Sequence, residues 1–166
     1  MSLVSLTISA NSHPKETVAH GKKRALVVDD SLTILHAICS LLEHHEIVEV
    51  VGRAESGPET IDAVGELHPD LVLMDADMPG MSGLRASLLL SQTSPAPKVV
   101  LMSMDTTPQF RRACAGCGAY AVIYKPKFLS ELARLLEQTP GEDWEKSSPR
   151  GRRKSLASSA LSRAAL

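Results

Sequence analysis

LVLMDADMPGMSG, residues 71–83, is the stretch whose reading decides the fold. Leu71 to Asp75 reads as a strand, an unbroken apolar run closed by a carboxylate. Such a run suits a strand buried on both faces, as in a parallel sheet. Met78-Pro79-Gly80 cannot prolong it, because proline lacks the ladder donor and glycine punctuates the pattern. Asp75 therefore stands at the carboxyl end of a central strand, the edge at which open α/β sheets place ligands and chemistry. A lone aspartate there is often only a turn residue, so the flanking sequence has to decide.

Upstream, Ala25 to Val28 forms a second buried-strand run and ends in Asp29-Asp30. Ser31 can cap a helix over residues 32–44, with Leu32, Leu35, Ile38, Leu41 and Leu42 at helical spacing. Ile47 to Gly52 is β-branched and reads as a strand. Gly57-Pro58 opens a helix whose apolar face is Ile61, Val64 and Leu67, and Pro69 stops it. Downstream, Ser82 or Gly83 starts a helix running to about Gln92. Lys98 to Ser103 is a strand ending in a hydroxyl. Thr106 or Thr107 caps a helix that begins at Pro108 and runs to about Ala115. Ala119 to Tyr124 is a strand ending in Lys125-Pro126, and Phe128 to Gln138 is a helix striped by Leu129, Leu132, Leu135 and Leu136. Strand and helix alternate five times. That rhythm predicts an α/β fold, a doubly wound five-stranded parallel sheet covered by five helices through right-handed crossovers.

The 166 residues suffice for one domain with a real core, and with 3% aromatics that core must rest on Leu, Val, Ala, Ile and Met. Charge is unevenly spread. Residues 22–137 carry 11 basic and 15 acidic side chains, whereas the chain from Pro140 onward carries 6 basic and 3 acidic, so an acidic body bears a basic tail. Three segments are expected: a weakly ordered arm over 1–21, a folded domain over 22–139, and a flexible Ser/Ala-rich tail over 140–166. The tail's Arg150–Lys154 cluster is read as solvated, with an acidic partner, nucleic acid or an anionic lipid surface as the alternative contact. Cys39, Cys114 and Cys117 are too few for a disulfide framework and fit a reducing compartment. No apolar run approaches the roughly 20 residues that span a bilayer, and the N-terminus lacks the basic leader of a signal peptide. A cytoplasmic protein without a membrane span is expected.

The strand ends carry the chemistry. The first gives Asp29-Asp30, the third Asp75, the fourth Ser103 and the fifth Lys125-Pro126. In a parallel sheet these ends share one edge. Three crowded carboxylates repel one another unless a cation intervenes. Mg2+, a hard ion held by one or two carboxylates while it keeps waters and a phosphate oxygen, is the natural one. A carboxylate nucleophile, Mg2+, a lysine and a hydroxyl make an arrangement for phosphoryl transfer to aspartate. A dinucleotide-binding fold is excluded, because VVDDSLT (27–33) has no glycine and turns two negative charges on any pyrophosphate. A P-loop is absent as well.

With these residues in place, the sequence resembles the receiver domain of two-component response regulators, in its stand-alone, single-domain form. The match runs from about Lys23 to Thr139 and rests on LVVDD (26–30), LVLMDADMPGMSG (71–83), VVLMS (99–103) and GAYAVIYKP (118–126). The resemblance implies a flavodoxin-like topology. It implies Asp75 as phosphoacceptor, and Asp30, Asp75 and the backbone carbonyl of Asp77 as Mg2+ ligands, with Asp29 acting on the metal through water. Ser103 matches the switch hydroxyl and Lys125 the lysine that pairs with the phosphoryl group, and Lys125-Pro126 resembles the family's cis peptide. Asp77 and Asp105 match positions that tune the lifetime of the phosphoryl group. Phe110, Arg111, Arg112 and Val122 fall on the family's output face. The sequence departs from the pattern at Val122, where receivers usually place an aromatic, with Tyr120 and Tyr124 one step away on that face, and at Met104, where they place a small residue.

The function implied is a phosphoryl-accepting switch. A histidine kinase or histidine phosphotransfer protein supplies the group, and the altered surface meets a downstream protein. No output domain is expected, and so no DNA binding; protein contact, onward phosphotransfer or the basic tail is expected to carry the output. It is not expected to be an enzyme beyond its own phosphorylation and dephosphorylation. Two alternatives stand beside this. Leu71–Asp77 also resembles the DxD motif of haloacid-dehalogenase-type phosphatases, with Asp75 as nucleophile and Asp77 as general acid, but here the acidic pair precedes DxD and no cap domain is evident. A degenerate receiver used as a scaffold would fit the loss at Val122, but not the retention of Asp29, Asp30, Asp75, Ser103 and Lys125. Cys114-x-x-Cys117 closes a helix rather than opening one after a strand, and reads as a packing pair.

Overall fold

The computed structural model describes residues 22–137; the arm over 1–21, the tail over 140–166 and the expected helix end at Gln138 lie outside the described residues. The elements are β1 (Lys23–Val28), α1 (Leu32–Glu43), β2 (Val48–Ala54), α2 (Gly57–Leu67), β3 (Leu71–Asp75), α3 (Gly83–Ser91), β4 (Lys98–Ser103), α4 (Pro108–Gly116), β5 (Ala121–Tyr124), a single 3-10 turn (Lys125–Lys127) and α5 (Phe128–Glu137). All strand pairs are parallel, in the order β2-β1-β3-β4-β5. The chain winds outward from β1 in one direction and then in the other, so the switch point falls between β1 and β3, the place at which open α/β sheets bind their ligands.

Strand alternation divides the core into two layers. Ala25, Val27, Leu71, Leu73, Val100 and Met102 meet α1 and α5 through Leu35, Ile38, Cys39, Leu42, Phe128, Leu132 and Leu136. Leu26, Val28, Val72, Met74, Val99 and Leu101 meet α2, α3 and α4 through Val64, Ala86, Leu90 and Cys114. Every residue of β3 is buried, as its unbroken apolar run requires. The cysteines serve the packing role expected of them. Cys114 and Cys117 lie buried in the second layer, where the Cys117 thiol donates to the Cys114 carbonyl oxygen at 3.0 Å. Burial first, then electrostatic interaction with Cys117, Asp105 and Asp77, pushes the Cys114 thiol up to about 11.

Several sequence expectations need correction. On α1 the buried stripe is Leu35, Ile38, Cys39 and Leu42, while Leu32 and Leu41 are 51% and 48% exposed. Leu41 sits about 100° around the helix from Leu42 and so leaves the core face. On α5 Leu129 is exposed and Phe128 takes the buried position. The last strand starts at Ala121, not Ala119, because Gly118 turns at φ 74° and the chain joins β4 only after the Tyr120 N–H donates to the Val99 carbonyl oxygen. The cis peptide among the described residues is Ser94–Pro95. Lys125–Pro126 is trans and opens the 3-10 turn, whose fixed proline φ suits a first helical turn.

Candidate phosphoacceptor site

Asp29, Asp30 and Asp75 meet at the switch point, with one carboxylate oxygen from each lying within 4.8 Å of the others. Asp29 and Asp75 are buried and Asp30 is exposed at the rim. Lys125, delivered from the end of β5, places Nζ 2.9 Å from Asp29 Oδ2 and 3.0 Å from Asp75 Oδ2. Burial of that ammonium lowers its pKa, but hydrogen bonds and charge from Asp29 and Asp75 outweigh burial and hold it above the ordinary lysine value. The lysine therefore stays charged and neutralises one of three carboxylates, which leaves a local excess of two negative charges. An all-oxygen donor set with that excess, one ligand of it open to solvent, fits a divalent hard cation such as Mg2+.

Backbone groups fix the carboxylates. Asp29 Oδ1 accepts the Ser31 N–H at 3.0 Å, which ties the carboxylate cluster to the start of α1. Asp75 Oδ1 accepts the Asp77 N–H at 3.3 Å. Helix α3 begins immediately beyond the turn, where the Ser82 side chain accepts from the Arg85 N–H and the Gly83 N–H donates to the Ala76 carbonyl oxygen. Gly83 is required here. A β carbon would collide with the Asp75 carbonyl oxygen and lie 2.9 Å from Ala76 Cα, so only glycine lets α3 approach the end of β3 this closely.

Ser103 is buried at the end of β4. Its hydroxyl donates to Asp77 Oδ2 at 3.4 Å and accepts the Asp105 N–H at 2.9 Å. Asp105 Oδ1 in turn accepts the Thr107 N–H at 2.7 Å, and Thr107 caps α4 by accepting from the Phe110 N–H. The sequence-predicted residues of the strand ends thus converge, and the two predicted tuning residues flank the hydroxyl. Met104, the departure beside Ser103, is 62% exposed and points away from the core.

The residues expected on an output face sit apart from this cluster. Arg111, Val122, Glu131, Arg134 and Leu135 line a groove of about 270 Å³ between α4, β5 and α5. Val122 is half-buried, Arg112 is exposed, and Phe110 is half-buried against the second core layer rather than presented to solvent. Sequence reasoning missed two supports. One is Gly83, whose signal was its place directly after a serine cap. The other is Glu131, whose Oε2 accepts the Tyr124 N–H at 2.8 Å and so anchors the end of β5 that delivers Lys125.

Comparison with known proteins agrees with this fold. Residues 25–137 match the family model of the response regulator receiver domain. The chain is 34% identical over 113 residues to a protein-glutamate methylesterase/protein-glutamine glutaminase of Methanococcoides burtonii, covering 68% of this chain and 32% of that protein. It is 35% identical over 113 residues to the response regulator GacA of Pseudomonas viridiflava, covering 68% and 53%. The chain thus spans between about a third and about half of these relatives' length. Among solved structures it resembles the response regulator domain of Thermotoga maritima CheB, with TM-score 0.63, 28% identity and coverage of 71% of this chain and 93% of that one. It also resembles the signal receiver domain of NarL from Mycobacterium tuberculosis, with TM-score 0.60, 27% identity and coverage of 63% and 84%.

Proposed function

This chain belongs to the response regulator receiver domain family of two-component systems, and we propose that it works through phosphorylation of Asp75. The observation that carries this reading is the Lys125 ammonium bridging Asp29 and Asp75, beside Asp30, at the switch point of the sheet. An Asp75 carboxylate oxygen attacks phosphorus in a phosphohistidine of a histidine kinase or phosphotransfer protein. The new O–P bond forms as the P–N bond breaks, and the electron pair leaves with the imidazole, which is protonated from solvent. Lys125 stays within reach of the equatorial phosphoryl oxygens and meets charge that develops on them. Asp29, Asp30, Asp75 and the Asp77 carbonyl would hold Mg2+, which when bound supplies further neutralisation of those oxygens. Ser103 donates its hydroxyl to the phosphoryl group once it is in place.

The acyl phosphate then shifts a two-state equilibrium, and a changed surface is read by a downstream protein. Arg111, Arg112 and Val122 frame the surface we assign to that contact, with Phe110 half-buried behind them. The basic tail remains a second candidate for meeting an acidic partner. Among the described residues no helix is long and apolar enough to cross a membrane, and we place the switch in the cytoplasm, where such kinases deliver their phosphoryl groups.

The test is direct. Acetyl phosphate with Mg2+ should add one phosphoryl mass to the intact chain, stable in acid and released by base. Asp75→Asn should remove the addition. A wild-type chain that gains no mass, or an Asp75→Asn chain that gains the same mass, would overturn the reading.

A further inference from the structure

Ser103 has one proton to give, and in this structure it gives it to Asp77 Oδ2 at 3.4 Å. Ser103 Oγ itself accepts the Asp105 N–H at 2.9 Å. On one side Asp77 is tied to the phosphoacceptor, because its N–H donates to Asp75 Oδ1 at 3.3 Å. On the other side Asp105 accepts the Thr107 N–H at 2.7 Å, and Thr107 caps α4 through the Phe110 N–H. A continuous run of hydrogen bonds therefore leads from Asp75 through Asp77, Ser103 and Asp105 to the first turn of α4.

We propose that Asp77 is a positioning residue that holds the Ser103 hydroxyl in its resting orientation, so that a phosphoryl group on Asp75 must take the proton from Asp77 before the start of α4 can rearrange. This rests on the reading of Asp75 as phosphoacceptor. Phosphorylation places a charge of about −1.5 to −2 and three strong acceptor oxygens beside the hydroxyl. The carboxylate of Asp77 is then repelled by the new charge and outcompeted for the single proton. As Ser103 Oγ turns, the Asp105 N–H that it accepts must follow or let go, and the Thr107 cap moves with Asp105. Asp77 thus sets a threshold. Without it the hydroxyl is free in advance, and less of the phosphoryl group's interaction is spent on reorientation.

A double-mutant cycle on the full chain tests this, read as affinity for the phosphoryl mimic beryllofluoride in the presence of Mg2+. Asp77→Ala should tighten binding roughly fivefold when Ser103 is present, the size expected for removing one ordinary competing hydrogen bond. In the Ser103→Ala background the same substitution should change binding by less than about half that factor. Equal gains in both backgrounds would mean that Asp77 acts by charge alone, and would overturn the proposal while leaving Asp75 as phosphoacceptor intact. Nuclear magnetic resonance supplies a readout that needs no mimic. In unliganded Asp77→Ala the amide signals of Asp105 and Thr107 should lie part of the way toward their beryllofluoride-bound positions, and signals that stay at the wild-type resting positions would contradict it. A wild-type chain that binds no beryllofluoride with Mg2+ would remove both the proposal and the function on which it rests.

Discussion

The cleft around Asp75 and the groove around Val122 lie on the same sheet, yet they are built differently. In the cleft, buried charges are held at 2.9–3.0 Å by one lysine, and backbone N–H groups fix Asp29 and Asp75. In the groove, half-buried Val122 and Leu135 are rimmed by Arg111, Glu131 and Arg134 around about 270 Å³ of open volume. Chemistry at phosphorus needs groups pre-set to within a fraction of an ångström, and the cleft is over-determined accordingly. On the proposed reading the groove is the surface that meets a partner, and the departure from the family pattern at Val122 falls in it.

The contrast can be broken or sharpened experimentally. The largest effect is expected from Lys125→Met. It removes the counter-ion of Asp29, which is fully buried, so stability without Mg2+ should fall by about 3 kcal/mol. Denaturant titration checks this, and phosphoryl uptake should slow by roughly 100-fold. Gly83→Ala comes next. Its β carbon meets the Asp75 carbonyl oxygen, so the start of α3 must shift at a cost of about 2 kcal/mol, with slower uptake at Asp75. An unchanged unfolding midpoint in either variant would mean the cleft is looser than its hydrogen bonds indicate.

Cys114, packed under α4, gives a pH signature. Its folded-state pKa of about 11 stands above the ordinary 9.0, so its contribution to stability is complete below pH 9 and is lost as pH rises to about 11. Alkylation of Cys114 in the native chain at pH 8 should accordingly be far slower than in the unfolded chain, since the thiolate is the reactive form. The smallest effect is expected in the groove itself. Val122→Phe restores an aromatic at a half-buried position and should change stability by about 0.5 kcal/mol, with phosphoryl uptake unaltered and partner binding the property that moves.

These two regions also differ in how far the sequence discloses them. Buried parallel strands are unbroken apolar runs, so Ala25–Val28, Leu71–Asp75 and Lys98–Ser103 could be read directly, and with them the placement of Asp29, Asp30, Asp75 and Ser103 on one edge. Lys125 followed from the next strand end. Helix faces were less legible, because residue type does not report angle: Leu41 has the character of a core residue but lies off the stripe that Cys39 completes. The bond between Ser103 and Asp77 joins residues 26 apart in the chain and depends on two loops meeting, so no local pattern announces it. The fit of Gly83 against Asp75 is likewise a tertiary contact, visible in sequence only as a glycine after a capping serine.

Borohydride trapping tests the central claim most directly. An acyl phosphate on aspartate is reduced by borohydride to homoserine, which peptide mass spectrometry locates to a single position. After treatment with acetyl phosphate and Mg2+, homoserine should be found at position 75 and at no other. Homoserine at position 29, 30 or 77, or none anywhere despite a mass gain on the intact chain, would contradict the assignment of Asp75 as the phosphoacceptor.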